Sequence, residues 1–159
     1  HPAIAFSIEA SDPGLQLVCD RRQMGQALTN LVKNAVEAVE AKADAGGRVS
    51  VSMGRDADGS ITLQVADNGI GLPKERDRLA EPYMTTREKG TGLGLAIVKT
   101  IVAEHGGTLD FSDGRGGGTL ITLRFAATGA NLSGDREEAV PFGDAGASLP
   151  TALTRDGGR

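Results

Sequence analysis

Two closely spaced glycines follow an acidic residue at the end of a strand pattern, in the segment Asp67-Asn68-Gly69-Ile70-Gly71. The preceding residues 61–65 alternate between apolar and polar side chains, which predicts a strand. Glycine has no Cβ and allows positive φ, so the backbone can come close to another group here. The Asp67 carboxylate could accept a hydrogen bond from an amino group of a ligand. Taken alone, the segment is more typical of an ordinary turn than of a binding site.

The composition narrows the classes of protein to consider. The chain has 159 residues, a net charge of −4 and no Lys/Arg-rich run, which argues against a nucleic-acid-binding surface. One cysteine and two histidines exclude an internal disulfide and make a Cys/His zinc site implausible. Cys19 is expected to be a small buried residue. No apolar run approaches the length of a membrane span, and the chain fits a reducing cytoplasm.

The first half of the sequence predicts two short strands and one long helix. Residues 3–8 and 15–19 read as strands, and the turn signal at 11–14 predicts that they could form a hairpin. Asp20 is a suitable N-cap for a helix over residues 21–43. Apolar residues at helical spacing form its predicted core stripe: Met24, Ala27, Leu28, Leu31, Ala35 and Ala38, widened by Val32, Val36 and Val39.

Three polar residues lie beside that apolar stripe. Asn30, Asn34 and Glu37 are spaced i, i+4 and i+7, so they share one face of the helix. Asparagine is disfavoured inside helices because its side chain competes for backbone groups. Two asparagines one turn apart suggest a polar site facing inward, although the spacing alone also fits a solvated face.

The second half predicts two hairpins and a second helix. Residues 48–54 and 60–66 alternate around a turn, and 108–112 and 119–125 form the last strand pair. Residues 72–90 are rich in charge and proline, with a possible short helix at 75–79. The glycine-rich loop 90–95 then opens an apolar helix at 96–102.

A glycine-rich loop at the start of a helix favours phosphate, because the first N–H groups lack partners and the helix dipole attracts anions. The loop matches neither the dinucleotide-binding pattern nor the P-loop pattern. His105 follows this helix, where a capping role is expected. From about residue 127 the hydrophobic pattern stops, and we expect a disordered or loosely docked tail over 127–159.

Taken in order, these motifs resemble the catalytic, ATP-binding domain of bacterial two-component sensor histidine kinases, within the gyrase/Hsp90/histidine kinase/MutL superfamily. Two of the phrases are most similar to the nitrogen-regulation sensor kinases. The matching segments are residues 30–35 (N box), 67–71 (first glycine box), 81–87 (F box), 90–95 (second glycine box) and 116–119 (last glycine segment).

The resemblance implies an α+β fold, a two-layer sandwich of a mixed, mostly antiparallel sheet with helices on one face. It implies an ATP-binding domain over residues 1–126 with a lid at about 72–91. ATP and Mg²⁺ are the implied ligands, with Asn34 on the metal and Asn30 supporting it. Asp67 would bind the adenine amine, and Gly69 and Gly71 would leave room for the base.

Several further residues are implied to contact the nucleotide, among them the basic residues of the lid as phosphate contacts. The full set of implied site residues is Asn30, Asn34, Asp67, Gly69, Gly71, Thr86, Arg87, Lys89, Gly90, Thr91, Gly92, Leu93, Gly94, Leu95 and Thr119. For Arg87 and Lys89, solvated lid charges are an equally good interpretation.

The sequence also departs from the family pattern. Glu37 stands where many relatives carry Lys or Arg, so phosphate neutralisation must come from elsewhere or Glu37 must point away. Ala80 replaces a usual aromatic residue of the F box. Hydrolases of the superfamily place Glu at the position of Asn30, and an amide cannot act as a base. This favours phosphoryl transfer over hydrolysis.

The resemblance implies partners outside this sequence. Neither His1 nor His105 is followed by an acidic residue, as a phosphoacceptor histidine would be. We expect the acceptor on an upstream dimerisation segment of the parent protein, a response regulator downstream, and a monomeric isolated domain. The parent could be anchored in the inner membrane. An ATP hydrolase of the same superfamily and a non-catalytic nucleotide-binding module are the alternatives.

Overall fold

The computed structural model describes residues 4–11, 14–42, 46–73, 92–126 and 138–141. These residues form a five-stranded sheet of order β1-β3-β4-β6-β5 and a separate two-stranded sheet of β2 and β7. In chain order the elements are β1 (Ile4–Ala10), β2 (Gln16–Cys19), α1 (Arg21–Lys42), β3 (Gly47–Arg55), β4 (Ile61–Asp67), α2 (Gly94–Glu104), β5 (Thr108–Asp113), β6 (Thr119–Phe125) and β7 (Glu138–Pro141).

The large sheet is mixed and mostly antiparallel. β1 runs parallel to β3, while the β3–β4, β4–β6 and β5–β6 pairs are antiparallel. Both helices pack against this sheet, α1 on β3 and β4 and α2 on β5. The predicted two-layer α+β sandwich is confirmed, and so are the two antiparallel hairpins.

One hydrophobic core lies between the helices and the sheet. The central strands alternate, as period-two side-chain geometry requires, so every second residue faces the helices. The predicted stripe of α1 is confirmed as the opposite wall of this core. The buried apolar residues of α1 and the central strands are Met24, Ala27, Leu31, Ala35, Ala38, Val39, Val49, Met53, Ile61, Leu63, Val65, Ile121, Leu123 and Phe125.

The predicted hairpin of β1 and β2 is wrong. β1 pairs with β3, and β2 pairs antiparallel with β7. The reason is the position of α1, which is separated from β2 by Asp20 alone and packs on β3 and β4. Leu15 and Cys19 are therefore carried into the core. Burial raises the pKa of the Cys19 thiol, with a smaller effect from the neighbouring Asp20 charge, so Cys19 behaves as a buried apolar residue.

A histidine joins the two helices at their ends. Asp20 caps α1, because its Oδ1 accepts from the N–H groups of Arg22 (2.8 Å) and Gln23 (3.0 Å). The bond from Gln23 is the largest of the effects that hold the Asp20 pKa below its usual value. His105 caps α2 with Nδ1 2.7 Å from the Ile101 carbonyl, and its Nε2 accepts from the Asp20 N–H at 3.0 Å. The capping role predicted for His105 is confirmed.

Parts of the sequence interpretation lie outside the described residues. The expected lid at 72–91 is described only at its first two positions, and the short helix at 75–79 is not among them. Within the tail at 127–159 the structure describes only Glu138–Pro141, which is strand β7. In the part of the chain that is described, no helix is long and apolar enough to cross a membrane.

The distal end of the β3–β4 hairpin is fastened to β6 by charged side chains. Arg124 donates from Nη2 to Asp58 (2.7 Å) and from Nε to the Ser60 hydroxyl (3.0 Å). The Ser60 hydroxyl and N–H both donate to Asp58 Oδ1. These bonds, chiefly those from Ser60, lower the pKa of Asp58 to about 2.

We expect Asp58→Asn to flatten the acid side of the stability profile. The folded-state pKa of about 2 lies below the reference value of 3.8, so ionised Asp58 stabilises the fold above about pH 4. That contribution is lost as the pH falls toward 2. Urea unfolding between pH 5 and pH 2 measures it.

Asp110→Asn is the charge-matched control, because it removes one carboxylate from an exposed position of β5. The wild-type protein and the Asp110 variant should lose stability more steeply than the Asp58 variant over this pH range. Identical slopes for the Asp58 and Asp110 variants would refute the role given to the Ser60–Asp58–Arg124 cluster.

Candidate functional site

The two asparagines of α1 face the beginning of α2. Asn30 and Asn34 are half-buried, one turn apart, at the edge of the apolar stripe. A Cβ added to Gly94, the first residue of α2, would lie 3.8 Å from Asn30 Oδ1 and 3.9 Å from Asn34 Nδ2. The fold thus brings together two motifs that are about 60 residues apart in the sequence.

The first turn of α2 is suited to hold an anion. Leu93 is the N-cap residue and makes no side-chain hydrogen bond with the first turn. The N–H groups at a helix start have no partner within the helix, and the helix dipole adds positive potential there. Gly92, with φ +66°, directs the chain into this turn. The beginning of α2 and the two asparagines therefore form one polar corner, which we call the amide corner (Asn30, Asn34, Gly92 to Leu95).

Asp67 lies at the end of β4 with its carboxylate held by the backbone. Its Oδ1 accepts from the Gly69 N–H at 2.8 Å and from the Thr119 N–H at 3.3 Å. Hydrogen bonds from backbone N–H groups to a carboxylate are charge-assisted and directional. The side chain is half-buried, so its orientation is fixed where it still reaches the surface.

Gly69 has a packing reason to be glycine. A Cβ there would meet the backbone of Ala38 in α1, including its carbonyl oxygen at 2.5 Å. The next residue, Ile70, donates its N–H to that same carbonyl at 3.1 Å. A carbonyl has two lone pairs and can accept this bond besides its helical one. The sequence suggested that Gly69 leaves room for a base, and the structure adds that helix α1 already requires a glycine here.

The last glycine segment (residues 116–119) packs against Asp67, while α1 contacts the loop that follows it. Gly118 has φ +81°, and a Cβ there would overlap the Asp67 backbone, 2.6 Å from its carbonyl carbon. A Cβ on Gly71, with φ +79°, would lie 3.5 Å from the Gly118 carbonyl oxygen. The β5–β6 turn therefore packs directly on the loop that follows Asp67.

Glu37 adds no positive charge to the amide corner. Its carboxylate lies 4.0 Å from the Lys33 ammonium group, one turn earlier on α1, and Lys33 is largely exposed. Such i,i+4 pairs on a helix surface contribute only a few tenths of a kcal/mol. Of the two outcomes expected for Glu37, the structure favours a carboxylate directed along the helix toward Lys33.

The implied site residues fall into three sets. Asn30, Asn34, Gly92, Leu93, Gly94 and Leu95 belong to the amide corner. Asp67, Gly69, Gly71 and Thr119 surround the end of β4. Thr86, Arg87, Lys89, Gly90 and Thr91 lie outside the described residues, as does the F box. Sequence reasoning missed the role of Asn68, although an asparagine next to glycine after a strand is a known signal for side-chain bonds to the backbone.

The two described sets are linked through α1. Asn34 and Ala38 are one turn apart on the same helix, and Ala38 carries the contact with Gly69 and Ile70. A rigid helix therefore sets the spacing between the amide corner and Asp67.

Comparison with known proteins gives a consistent set of relatives. Residues 19–129 match the family model described as histidine kinase-, DNA gyrase B-, and HSP90-like ATPase. The chain is 48% identical over 131 residues to the nitrogen regulation protein NtrY of Azorhizobium caulinodans, covering 78% of this chain and 17% of that protein.

Solved structures of histidine kinases share the fold. The catalytic domain of histidine kinase ThkA matches with a TM-score of 0.66 and 30% identity, covering 77% of this chain and 79% of that one. Full-length ShkA in complex with AMPPNP matches with a TM-score of 0.65 and 32% identity, covering 81% of this chain and 27% of that one. The chain thus spans about a quarter or less of the longer proteins it matches.

We expect Gly69→Ala to destabilise the fold by about 1–3 kcal/mol, the usual range for overpacking. The added methyl group would meet the helix backbone at Ala38, which cannot turn aside as a side chain can. Urea unfolding measures the change in the free energy of unfolding.

Gly25→Ala is the matched control, since Gly25 lies in α1 with open space where its Cβ would be. This variant should be neutral or more stable by about 0.5–1 kcal/mol, because alanine favours the helix. Equal effects of the two substitutions would show that the contact between Gly69 and α1 is not tight in solution.

Proposed function

This chain belongs to the family of histidine kinase-, DNA gyrase B- and HSP90-like ATPases, and we propose that it binds Mg·ATP and donates the γ-phosphoryl group to a histidine. It is a histidine kinase-type ATPase domain, as the order of its motifs predicted. The proposal concerns its chemistry: ATP as the nucleotide, Mg²⁺ as the metal, and a histidine of the parent protein as the acceptor.

The observation that carries the proposal is the amide corner. The start of α2 lies beside two side-chain amides: a Cβ built on Gly94 would be 3.8 Å from Asn30 Oδ1 and 3.9 Å from Asn34 Nδ2. The N–H groups and the dipole at the start of a helix favour phosphate oxygens. Amide oxygens are hard ligands of the kind that Mg²⁺ accepts, together with waters and phosphates. One corner thus offers groups for both parts of a metal–triphosphate.

The residues present fit a magnesium ion that is held mainly by phosphate and water. Asn34 would supply its amide oxygen as a ligand, and Asn30, one turn earlier, would hold a second oxygen or a bound water. Mg²⁺ bound there would neutralise part of the phosphate charge. The protein's own contribution is to fix both amides on a rigid helix, since positioning accounts for most of the catalysis in phosphoryl transfer.

Asp67 supports the choice of adenine. Its carboxylate is oriented by the N–H groups of Gly69 and Thr119. A carboxylate accepts hydrogen bonds and repels carbonyl oxygens, so it favours the amino group of adenine over the carbonyl group of guanine or hypoxanthine. Gly71 and Gly118 add no side chains of their own beside the end of β4.

Asn30 favours transfer over hydrolysis. A hydrolase needs a group that takes a proton from water, and an amide has no such capacity at neutral pH. Asn30 lies beside the start of α2, with its Oδ1 3.8 Å from the position of a Cβ on Gly94, and the resemblance gives hydrolases of the superfamily a glutamate at this position. The proposed acceptor histidine would come from outside the domain, and its attack would not depend on a base at the position of Asn30.

The domain would act within a larger protein. We propose residues 1–126 as the nucleotide-binding domain, residues 72–91 as its lid, and Thr86, Arg87 and Lys89 as lid residues near the phosphates. The acceptor histidine would be on an upstream dimerisation segment of the parent, which passes the phosphoryl group to a response regulator.

We expect labelled ATP and Mg²⁺ to phosphorylate the parent's upstream helical segment when this domain is added. Asn34→Ala should lower the transfer rate by about two orders of magnitude, the scale of losing one oriented electrostatic contact in a phosphoryl-transfer site. It should also abolish the Mg²⁺ dependence of ATP binding in calorimetry.

Thr29→Ala is the matched control. Thr29 is exposed and adjacent to Asn30, and its hydroxyl donates to the Gly25 carbonyl of its own helix at 2.8 Å. This variant should bind and transfer normally. A folded, nucleotide-bound domain that transfers nothing would contradict the kinase proposal, and unchanged Mg²⁺ dependence in the Asn34 variant would contradict the metal assignment.

A further inference from the structure

Asn68 uses both ends of its side chain to hold the loop after Asp67. Its Oδ1 accepts from the Arg48 N–H at 2.7 Å, and its Nδ2 donates to the Gly46 carbonyl at 3.0 Å. Its backbone is held as well, because its N–H donates to the Arg48 carbonyl at 3.3 Å and its carbonyl accepts from the Lys42 ammonium group at 3.1 Å. One residue therefore joins the loop to the end of α1 and to the beginning of β3.

The position of Asn68 in the sheet explains why its side chain is needed. The regular β3–β4 pairing ends at the pair of Val49 and Asp67. Beyond this pair β4 turns away, so the Arg48 N–H would lose its partner across the ladder. The Asn68 amide takes the place of that partner, as asparagine side chains commonly do where a strand ends. The loop is thereby fixed at the first residue after Asp67.

The fixed loop determines where the Asp67 carboxylate points. The shorter of the two bonds to Asp67 Oδ1 comes from the Gly69 N–H, 2.8 Å against 3.3 Å from Thr119. Gly69 is held between Asn68, which is tied to β3, and the α1 backbone at Ala38. Loss of the Asn68 side-chain bonds would loosen the loop from β3 and leave Gly69 held chiefly by its contact with α1. The Gly69 N–H would then no longer be held in line with the carboxylate.

We propose that Asn68 is a positioning residue for base recognition, an inference that rests on the proposed function. It makes no contact with the base in this role, because its side-chain amide is engaged with Arg48 and Gly46. It acts through the Gly69 N–H, which holds the Asp67 carboxylate in the orientation that accepts from an amino group. Asn68 therefore contributes to the choice of adenine, besides stabilising the turn.

The test compares the binding of Mg·ADP and Mg·IDP by calorimetry. Inosine diphosphate carries a carbonyl oxygen at C6 and a proton on N1, where ADP has its amino group and an unprotonated N1. The ratio of the two dissociation constants therefore reports recognition of this edge of the base, which the proposal assigns to Asp67. The wild-type domain should prefer ADP by about tenfold or more, the scale of one hydrogen bond to a charged group. Asn68→Ala should reduce this preference by about tenfold, mainly by weakening ADP binding.

Arg124→Ala is the control for lost stability. Arg124 holds the opposite end of the β3–β4 hairpin through Asp58 and Ser60, far along the strands from Asp67. This variant should lower the Tm and keep the wild-type preference for ADP. Asn68→Ser is the second variant, in case the alanine variant unfolds, because serine is too short to bond to both Arg48 and Gly46. It should show the same loss of preference.

The outcomes separate the two proposals. A wild-type domain that binds neither nucleotide would contradict the proposed function itself. A wild-type preference for ADP that persists in the folded Asn68 variant, with only a lower Tm, would overturn the positioning role and leave the proposed function standing. A preference lost in the Asn68 variant and kept in the Arg124 variant would establish it.

Discussion

The contact between Gly69 and the backbone of α1 determines how the two parts of the site are arranged. At this point the loop after β4 comes so close to the helix that no side chain fits, and Ile70 donates to the Ala38 carbonyl. The same helix carries Asn34 one turn earlier. The distance between the carboxylate of Asp67 and the amides beside α2 is therefore set by one rigid helix, α1. The loop that follows Asp67 and the start of α2 each contact this helix.

The glycines of this protein serve the fold as much as the ligand. Gly69 and Gly118 are both glycine because neighbouring backbone occupies the space of a Cβ, Gly69 against α1 and Gly118 against Asp67. The result is a carboxylate that is oriented by backbone N–H groups, with glycine at two positions that pack around it. The same packing that holds the Asp67 carboxylate also requires these glycines, so the proposed recognition of the base would depend on residues that stabilise the fold.

Much of this arrangement could be predicted from the sequence because it depends on local patterns. The turn at residues 55–59 and the alternation around it predicted the β3–β4 hairpin, and Asp20 predicted the start of α1. The partners of β1 and β2 could not be predicted in this way. A period of two predicts a strand but not its neighbour, and β1 pairs with a strand that begins after the whole of α1.

In the candidate site, too, local patterns predicted some features, while others depend on how distant segments pack. Helical spacing placed Asn30 and Asn34 on one face, but their approach to Gly94 depends on how α2 packs against α1. The bonds of Asn68 to Gly46 and Arg48 join segments about 20 residues apart. Such bonds depend on where the turn after β4 meets the loop before β3, and no local pattern encodes that meeting. The sequence thus predicted the candidate residues of the site, and the structure added the contacts that hold the described ones in place.

A crystal structure of the domain with a non-hydrolysable ATP analogue and Mg²⁺ tests the central claim most directly. The account predicts the adenine amino nitrogen at about 3 Å from the Asp67 carboxylate, the Asn34 amide oxygen on the metal, and phosphate oxygens at the first turn of α2. A nucleotide bound elsewhere, or a base whose amino group faces away from Asp67 while the Gly69 bond is intact, would contradict it.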